Sequence, residues 1–255
     1  MGTAFLSVRP GVRALRERLV ATRRDLHEHP ELSWKEERTQ RVILERLAEI
    51  GLSDVRPIAR TGATGVIHGA KPGIGVLWRA DIDALPVPEK TGLVFASKNE
   101  GVMHACGHDA HTAIALGIAE ALNTRRDVLA GSVRFVFQPA EEAAGGARAC
   151  LDDGVLESPH IDRALGLHIS ADVPLGAINV APGPFFAAPR VGNALKRSCP
   201  AIESCSRSFR IATPLSSRSA ENVVFAALRS ATSCRFWKRA ARTACGSACG
   251  SAPFA

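Results

Sequence analysis

Between residues 11 and 183, short Val/Ile-rich segments alternate with segments whose apolar residues recur at helical spacing, and this alternation dictates a layered α/β fold. Val12, Leu15, Leu19 and Leu26, set among Arg and Glu, predict an amphipathic helix over 11–28. Ser33-Trp34-Lys35-Glu36 fits a capping box. It would open a second helix with Val42, Ile43, Leu47 and Ile50 on its buried face and Gly51 as its stop. GVIHGA (65–70) and GIGVLWRAD (73–81) read as strands, with Lys71-Pro72-Gly73 as the turn between them. HTAIALGIAEAL (111–122) reads as a buried helix, and SVRFVFQP (132–139) as a strand stopped by proline. Glu142–Leu151 reads as a short helix, and ALGLHI (164–169) and GAINVAPG (176–183) as further strands. The expected architecture is three-layer α/β, a mostly parallel sheet with flanking helices.

In open sheets of this kind, sites gather beyond the carboxyl ends of the strands. Ionisable residues stand at each such end: Asp81 and Asp83 after 74–80, Glu141 and Glu142 after 132–138, and His168 after 164–167. The loop before the buried helix adds Cys106 and His108, inside MHACGHDAHT (103–112). A thiolate, imidazoles and carboxylates together suit a borderline divalent ion: zinc, manganese, cobalt or nickel. Cys106, just ahead of a helix start, is expected to have a lowered pKa that favours the ligating thiolate. In a Glu pair, one carboxylate can bind metal while its neighbour takes a proton from water. His104 and His111 read as structural residues or as supports for the ligands, His27 and His29 as structural, and Trp34 and Trp78 as packing.

Charge narrows the function classes. The chain carries 32 basic and 25 acidic residues, but 11 of the former and only Glu203 and Glu221 of the latter lie in 189–255. The body is slightly acidic and the basic excess sits in the tail, where Phe209, Phe225, Phe236 and Trp237 show no nucleic-acid-binding order. No segment approaches the ~20 apolar residues of a membrane span, and no secretory signal is read at the N-terminus. A cytoplasmic protein is expected, without nucleic-acid or membrane partners. Seven cysteines, five of them in 189–255, do not read as a disulfide framework.

Five stretches, RRDLHEHPELSWKEERT (23–39), WRADIDALPVPE (78–89), GVMHACGHDAHTA (101–113), VRFVFQPAEEAAGGA (133–147) and LGLHI (165–169), together resemble one family in order and spacing. It is the metal-dependent amidohydrolases that include hippurate hydrolase, N-acyl-amino-acid amidohydrolases and auxin-conjugate hydrolases, relatives of aminoacylases and carboxypeptidases. The resemblance spans residues 11 to about 186. It implies a site for two divalent metals, Mn or Zn, with Cys106, His108, Glu142 and His168 as ligands. It implies Glu141 as general base, Asp83 orienting the site, and hydrolysis of the amide of a small N-acyl amino acid. A homo-oligomer is compatible with an intact member. The rival readings are a cysteine hydrolase using Cys106 and a non-catalytic metal-binding remnant.

After residue 188 the sequence departs from the family. A complete member gains a further ligand histidine from its C-terminal half and another histidine from a lid domain, whereas the last of the eight histidines here is His168. The domain expectation is therefore an incomplete catalytic domain over 1–188 and an aberrant Ser/Arg/Cys-rich tail over 189–255, produced by a frame shift. Such a chain would be weakly active or inactive.

Overall fold

The computed structural model describes residues 9–143, 145–171, 173, 177 and 178. Almost all of them belong to one unit, Val8–Ser170. The helical segment over 11–28 forms as α1 (Pro10–Arg13) and α2 (Arg16–Glu28). The next helix is α3 (Glu37–Ile50), and it stops as expected. Gly51 takes a left-handed φ of 86°, its amide reaches the Leu47 and Ala48 carbonyls, and the Leu52 amide also reaches Leu47.

Strands β1 (Ser53–Ile58), β2 (Gly62–His68) and β3 (Lys71–Asp81) follow, then α4 (His108–Asn123), β4 (Ala130–Gln138), α5 (Gly146–Asp152) and β5 (Arg163–Gly166). The five strands lie in the order β1-β2-β4-β3-β5. The segment 71–73 is therefore no hairpin turn: β3 starts at Lys71, and β4 inserts between β2 and β3, pairing with both. Among the described residues the sheet is mixed. β3 is parallel to β4 and to β5, while β2 is antiparallel to β1 and to β4. The reason is the connections. A parallel pair needs a crossover, which α4 and α5 supply, whereas the short link from β1 to β2 can only turn the chain back. The strand read over 176–183 and the tail over 189–255 lie outside the described residues.

The period of two along the strands splits the core between two faces. Phe135, Phe137, Val133 and Ala80 pack with Ile43 and Leu47 of α3 and with Ala115, Leu116 and Ala119 of α4. Leu77 and Val136 point the other way, toward Cys150 of α5, Val155 and Ile161. This is the expected three-layer arrangement. Phe135 and Phe137 are fully buried, so truncating either to Ala would cost about 3–5 kcal/mol.

The capping box does not form. Ser33 instead donates its hydroxyl to Asp83 Oδ2 at 2.6 Å, and Glu36 turns inward, accepting from the Thr61 hydroxyl and the Ala140 amide. Glu36, at the N-cap of α3, makes no cap bond of its own; the first-turn amides of Arg38 and Thr39 donate instead to the Glu31 carboxylate, which lies before the helix. A sequence pattern sees Ser and Glu three apart. It does not see that long-range partners outbid the local ones.

Candidate metal centre

The parallel strands β3 and β4 end side by side, with Ile82 donating its amide to the Gln138 carbonyl at 3.1 Å. The chain leaving β3 carries Asp81 and Asp83, and the chain leaving β4 carries Glu141 and Glu142. α4 begins at this same end with His108 as its first residue. Gly107 sits at the helix start with a left-handed φ of 86°, a conformation that favours glycine, and a Cβ there would also push on the Ile169 side chain. β5 delivers His168 on its outgoing loop.

His108 is the node. It belongs to three groups whose ligand-type atoms all lie within 4.8 Å of one another: Cys106–His108–His168, Asp81–His108–His111 and His108–Glu141–Glu142. Its Nε2 is 3.6 Å from Asp81 Oδ2 and 3.8 Å from Glu142 Oε1, and its Nδ1 is 3.3 Å from Asp83 Oδ1. None of these approaches is aligned as a hydrogen bond. Both ring nitrogens, only 1% of the residue being exposed, lack a hydrogen-bond partner among the described residues, as does Asp83 Oδ1. A buried imidazole with two idle nitrogens is costly unless something else takes its lone pair. The donors around it, one sulfur, imidazole nitrogens and carboxylate oxygens, fit a borderline divalent cation.

The six residues to which the resemblance gave roles, Asp83, Cys106, His108, Glu141, Glu142 and His168, come together here. Cys106 Sγ lies 3.3 Å from His168 Nε2. Asp83 Oδ2 accepts both the Ser33 hydroxyl and, at 3.0 Å, the Glu142 amide, so it braces the Glu pair as well as facing His108. Two further residues join them. Asp81 Oδ1 is 2.6 Å from His111 Nδ1, and its Oδ2 takes a 2.7 Å bond from Arg79. His111 Nε2 accepts the Ile169 amide, so Nδ1 bears the proton and donates it to Asp81. His111 thereby ties β3 to the segment carrying His168, as a support should.

The electrostatics follow from the crowding of carboxylates. Burial would raise the Asp81 carboxyl, but the His111 hydrogen bond and the charge of Arg79 carry it down to about 2. Burial also works against a charged His108, yet the Asp83 contact and the neighbouring acidic charges raise it above the ordinary histidine range. Burial, with the Asp81 and Glu142 charges, raises Glu141 against the opposing pull of Arg79. The expectation for Cys106 is reversed: its thiol is pushed up to about 12 by burial, then by Glu142, Asp81 and Glu141. A helix start lowers a thiol pKa only where nothing stronger acts, and here burial first, then three carboxylates arriving from two strands, outweigh it.

Comparison with known proteins agrees with this geometry. The chain matches the peptidase family M20/M25/M40 over residues 77–255 and belongs to that family. Its relatives include an N-acetylcysteine deacetylase of Bacillus subtilis, 50% identical over 177 residues, which are 69% of this chain and 46% of the relative. An N-acyl-L-amino acid amidohydrolase of Geobacillus stearothermophilus is 43% identical over 172 residues, 67% of this chain and 46% of that protein. The solved structure of a dinuclear metal-binding peptidase of the M20 family from Bacillus subtilis superposes with a TM-score of 0.64 at 48% identity, covering 68% of this chain and 48% of its own. The chain thus spans about half the length of the curated relatives it matches. Among the described residues no helix is long and apolar enough to cross a membrane.

Proposed function

We propose that this site hydrolyses the amide bond of small N-acyl amino acids with the help of divalent metal, in a cytoplasmic protein. The observation that carries the reading is His108: buried, without a hydrogen bond at either nitrogen among the described residues, faced by three carboxylates, and shared by three ligand-type triads. Cys106, His108, Glu142 and His168 would hold the metal, with Asp83 braced behind His108 and Glu142. A complete site takes two ions, Mn or Zn by the chemistry of the donors, with Co or Ni as alternatives. When bound, the metal supplies Lewis acidity toward a carbonyl oxygen and a water.

The protein's own part is proton handling and orientation. Glu141 sits at the mouth of the site with its carboxyl raised, which suits a group that must first accept a proton and then give it up. It takes a proton from the attacking water and returns it to the departing amine. Asp83 and Ser33 fix the Glu pair, and His111 fixes Asp81. The names of the relatives, a deacetylase of N-acetylcysteine and an N-acyl-amino-acid amidohydrolase, support the substrate class. A cysteine hydrolase is disfavoured, because without a cation Cys106 at about 12 would be a thiol at neutral pH.

The tail belongs to the same reading. The shift to a basic, Ser/Arg/Cys-rich composition at 189 and the lack of any histidine after His168 support an out-of-frame origin for 189–255 and weak turnover by the chain as written, although the family match itself runs on to residue 255. Incubating the purified chain with N-acetyl amino acids and Mn or Zn tests the function. Slow hydrolysis that EDTA stops supports it; hydrolysis indifferent to EDTA but abolished by iodoacetamide overturns it. Translating the coding DNA from codon 185 in all frames tests the tail: a frame that continues with a later His-containing segment supports the lesion.

A further inference from the structure

Glu36 is a fully buried carboxylate, and among the described residues no cation pairs with it. Such a group is expensive to keep unless its acceptors are used. Both are. Oε2 accepts the Thr61 hydroxyl at 2.6 Å, and Oε1 accepts the Ala140 amide at 2.8 Å, from 104 residues away. Ala140 is itself buried and left-handed, with φ of 48°. A non-glycine residue holds that conformation only where its surroundings over-determine it. It is also the last residue before Glu141 and Glu142, at the point where the chain turns away from β4.

We propose that Glu36 is a positioning residue of the metal centre: by holding the Ala140 amide it fixes the left-handed turn that sets Glu141 and Glu142 against His108. The Glu pair is then pinned from two sides, by Glu36 at residue 140 and by Asp83 at the amide of Glu142. The inference rests on the metal-hydrolase reading for its functional consequence, while the turn itself is independent of it.

The test uses the full 255-residue chain and two readouts besides activity: backbone amide resonances of the metal-free protein, and cobalt(II) affinity followed by absorption. Glu36→Ala is expected to move the Glu141 and Glu142 amide resonances and to weaken cobalt binding about 10- to 100-fold, the range for a residue that orients ligands. Glu36→Gln keeps an oxygen for the Ala140 amide and an NH2 group for the Thr61 oxygen, so it should bind cobalt nearly as wild type. Thr61→Val, a milder change that loosens Glu36, should act in the same direction as Glu36→Ala and keeps the test open if the latter fails to fold. Val155→Ala, a cavity in the separate core cluster on the other face of the sheet, serves as the control for lost stability and should leave both readouts unchanged. Equal weakening by Val155→Ala, or wild-type affinity in Glu36→Ala, overturns the proposal. If the wild-type chain binds no cobalt, the metal reading falls, and unmoved Glu141 and Glu142 resonances in Glu36→Ala then sink the positioning role by themselves.

Discussion

Cys106 and His168 lie 62 residues apart in the chain, yet the Cys106 sulfur stands 3.3 Å from His168 Nε2. One comes from the loop before α4, the other from the loop after β5, and only the folded sheet brings them together. Cobalt(II) bound between them should therefore show an intense sulfur-to-metal absorption band. Cys106→Ser is expected to erase that band, and His168→Ala to keep it while lowering affinity at least about 10-fold. A band that survives in Cys106→Ser would remove the cysteine from the ligand set.

Metal affinity should depend on pH through His108. The imidazole must lose its proton to bind metal, and the Asp83, Asp81 and Glu142 carboxylates hold that proton to higher pH than usual. Affinity should thus fall as pH decreases, beginning above the ordinary histidine value of about 6.5. Cobalt titrations across about pH 6 to 8 check this; an affinity flat to below 6.5 contradicts it.

Glu141→Gln removes the group that moves the proton while keeping its size. Whatever rate the metal-loaded chain sustains should drop by about 100-fold or more, with cobalt affinity nearly unchanged. Steady hydrolysis of an N-acetyl amino acid by the variant would assign the proton transfer elsewhere.

His104 sets a second pH dependence, on stability. It is 4% exposed, neither nitrogen has a hydrogen-bond partner among the described residues, and burial pushes it down to about 4 from 6.5. Between those values the unfolded chain binds a proton that the folded one does not, so stability decreases as pH falls from about 6.5 and levels off below about 4. The loss is on the order of 3 kcal/mol. His104→Phe should flatten this part of the profile in urea unfolding of the metal-free chain; parallel profiles for variant and wild type would count against it.

Much of this was legible in the sequence, and what was not has a common cause. The helical spacing of Ile43 and Leu47, the Gly51 stop and the alternation along SVRFVFQ are local signals, and the elements formed where they pointed. β1 was missed because SDVRPI carries Asp, Arg and Pro, and its half-exposed edge position needs no apolar run. The insertion of β4 between β2 and β3 is a long-range pairing that neither strand announces. In the candidate site, residue types at strand ends and in the loop before α4 picked out the side chains that do converge, and the family resemblance gave six of them roles. The Ser33–Glu36 cap and the Cys106 shift were misread because their deciding partners, Asp83, Ala140, Glu142 and Asp81, lie at least 25 residues away in the chain. The true partners of Glu36 were hidden for the same reason: the sequence pattern places it in a local cap, and nothing in SWKEERT marks it as more buried than its neighbour Glu37.

The place of β4 in the sheet also sets the order in which a nascent chain can fold. β1 and β2 can close on each other early, since only a short turn separates them. β2 and β3 cannot finish the centre of the sheet, because each waits for a strand that is translated only at 130–138. Until then the apolar faces of both remain open, with the edge between them unpaired, a state prone to association. The ribosome must therefore pass codon 138 before the sheet centre exists, and the strand that closes it brings the Glu pair along. Completion of the central β-sheet and assembly of this end of the site are one event in the life of the polypeptide.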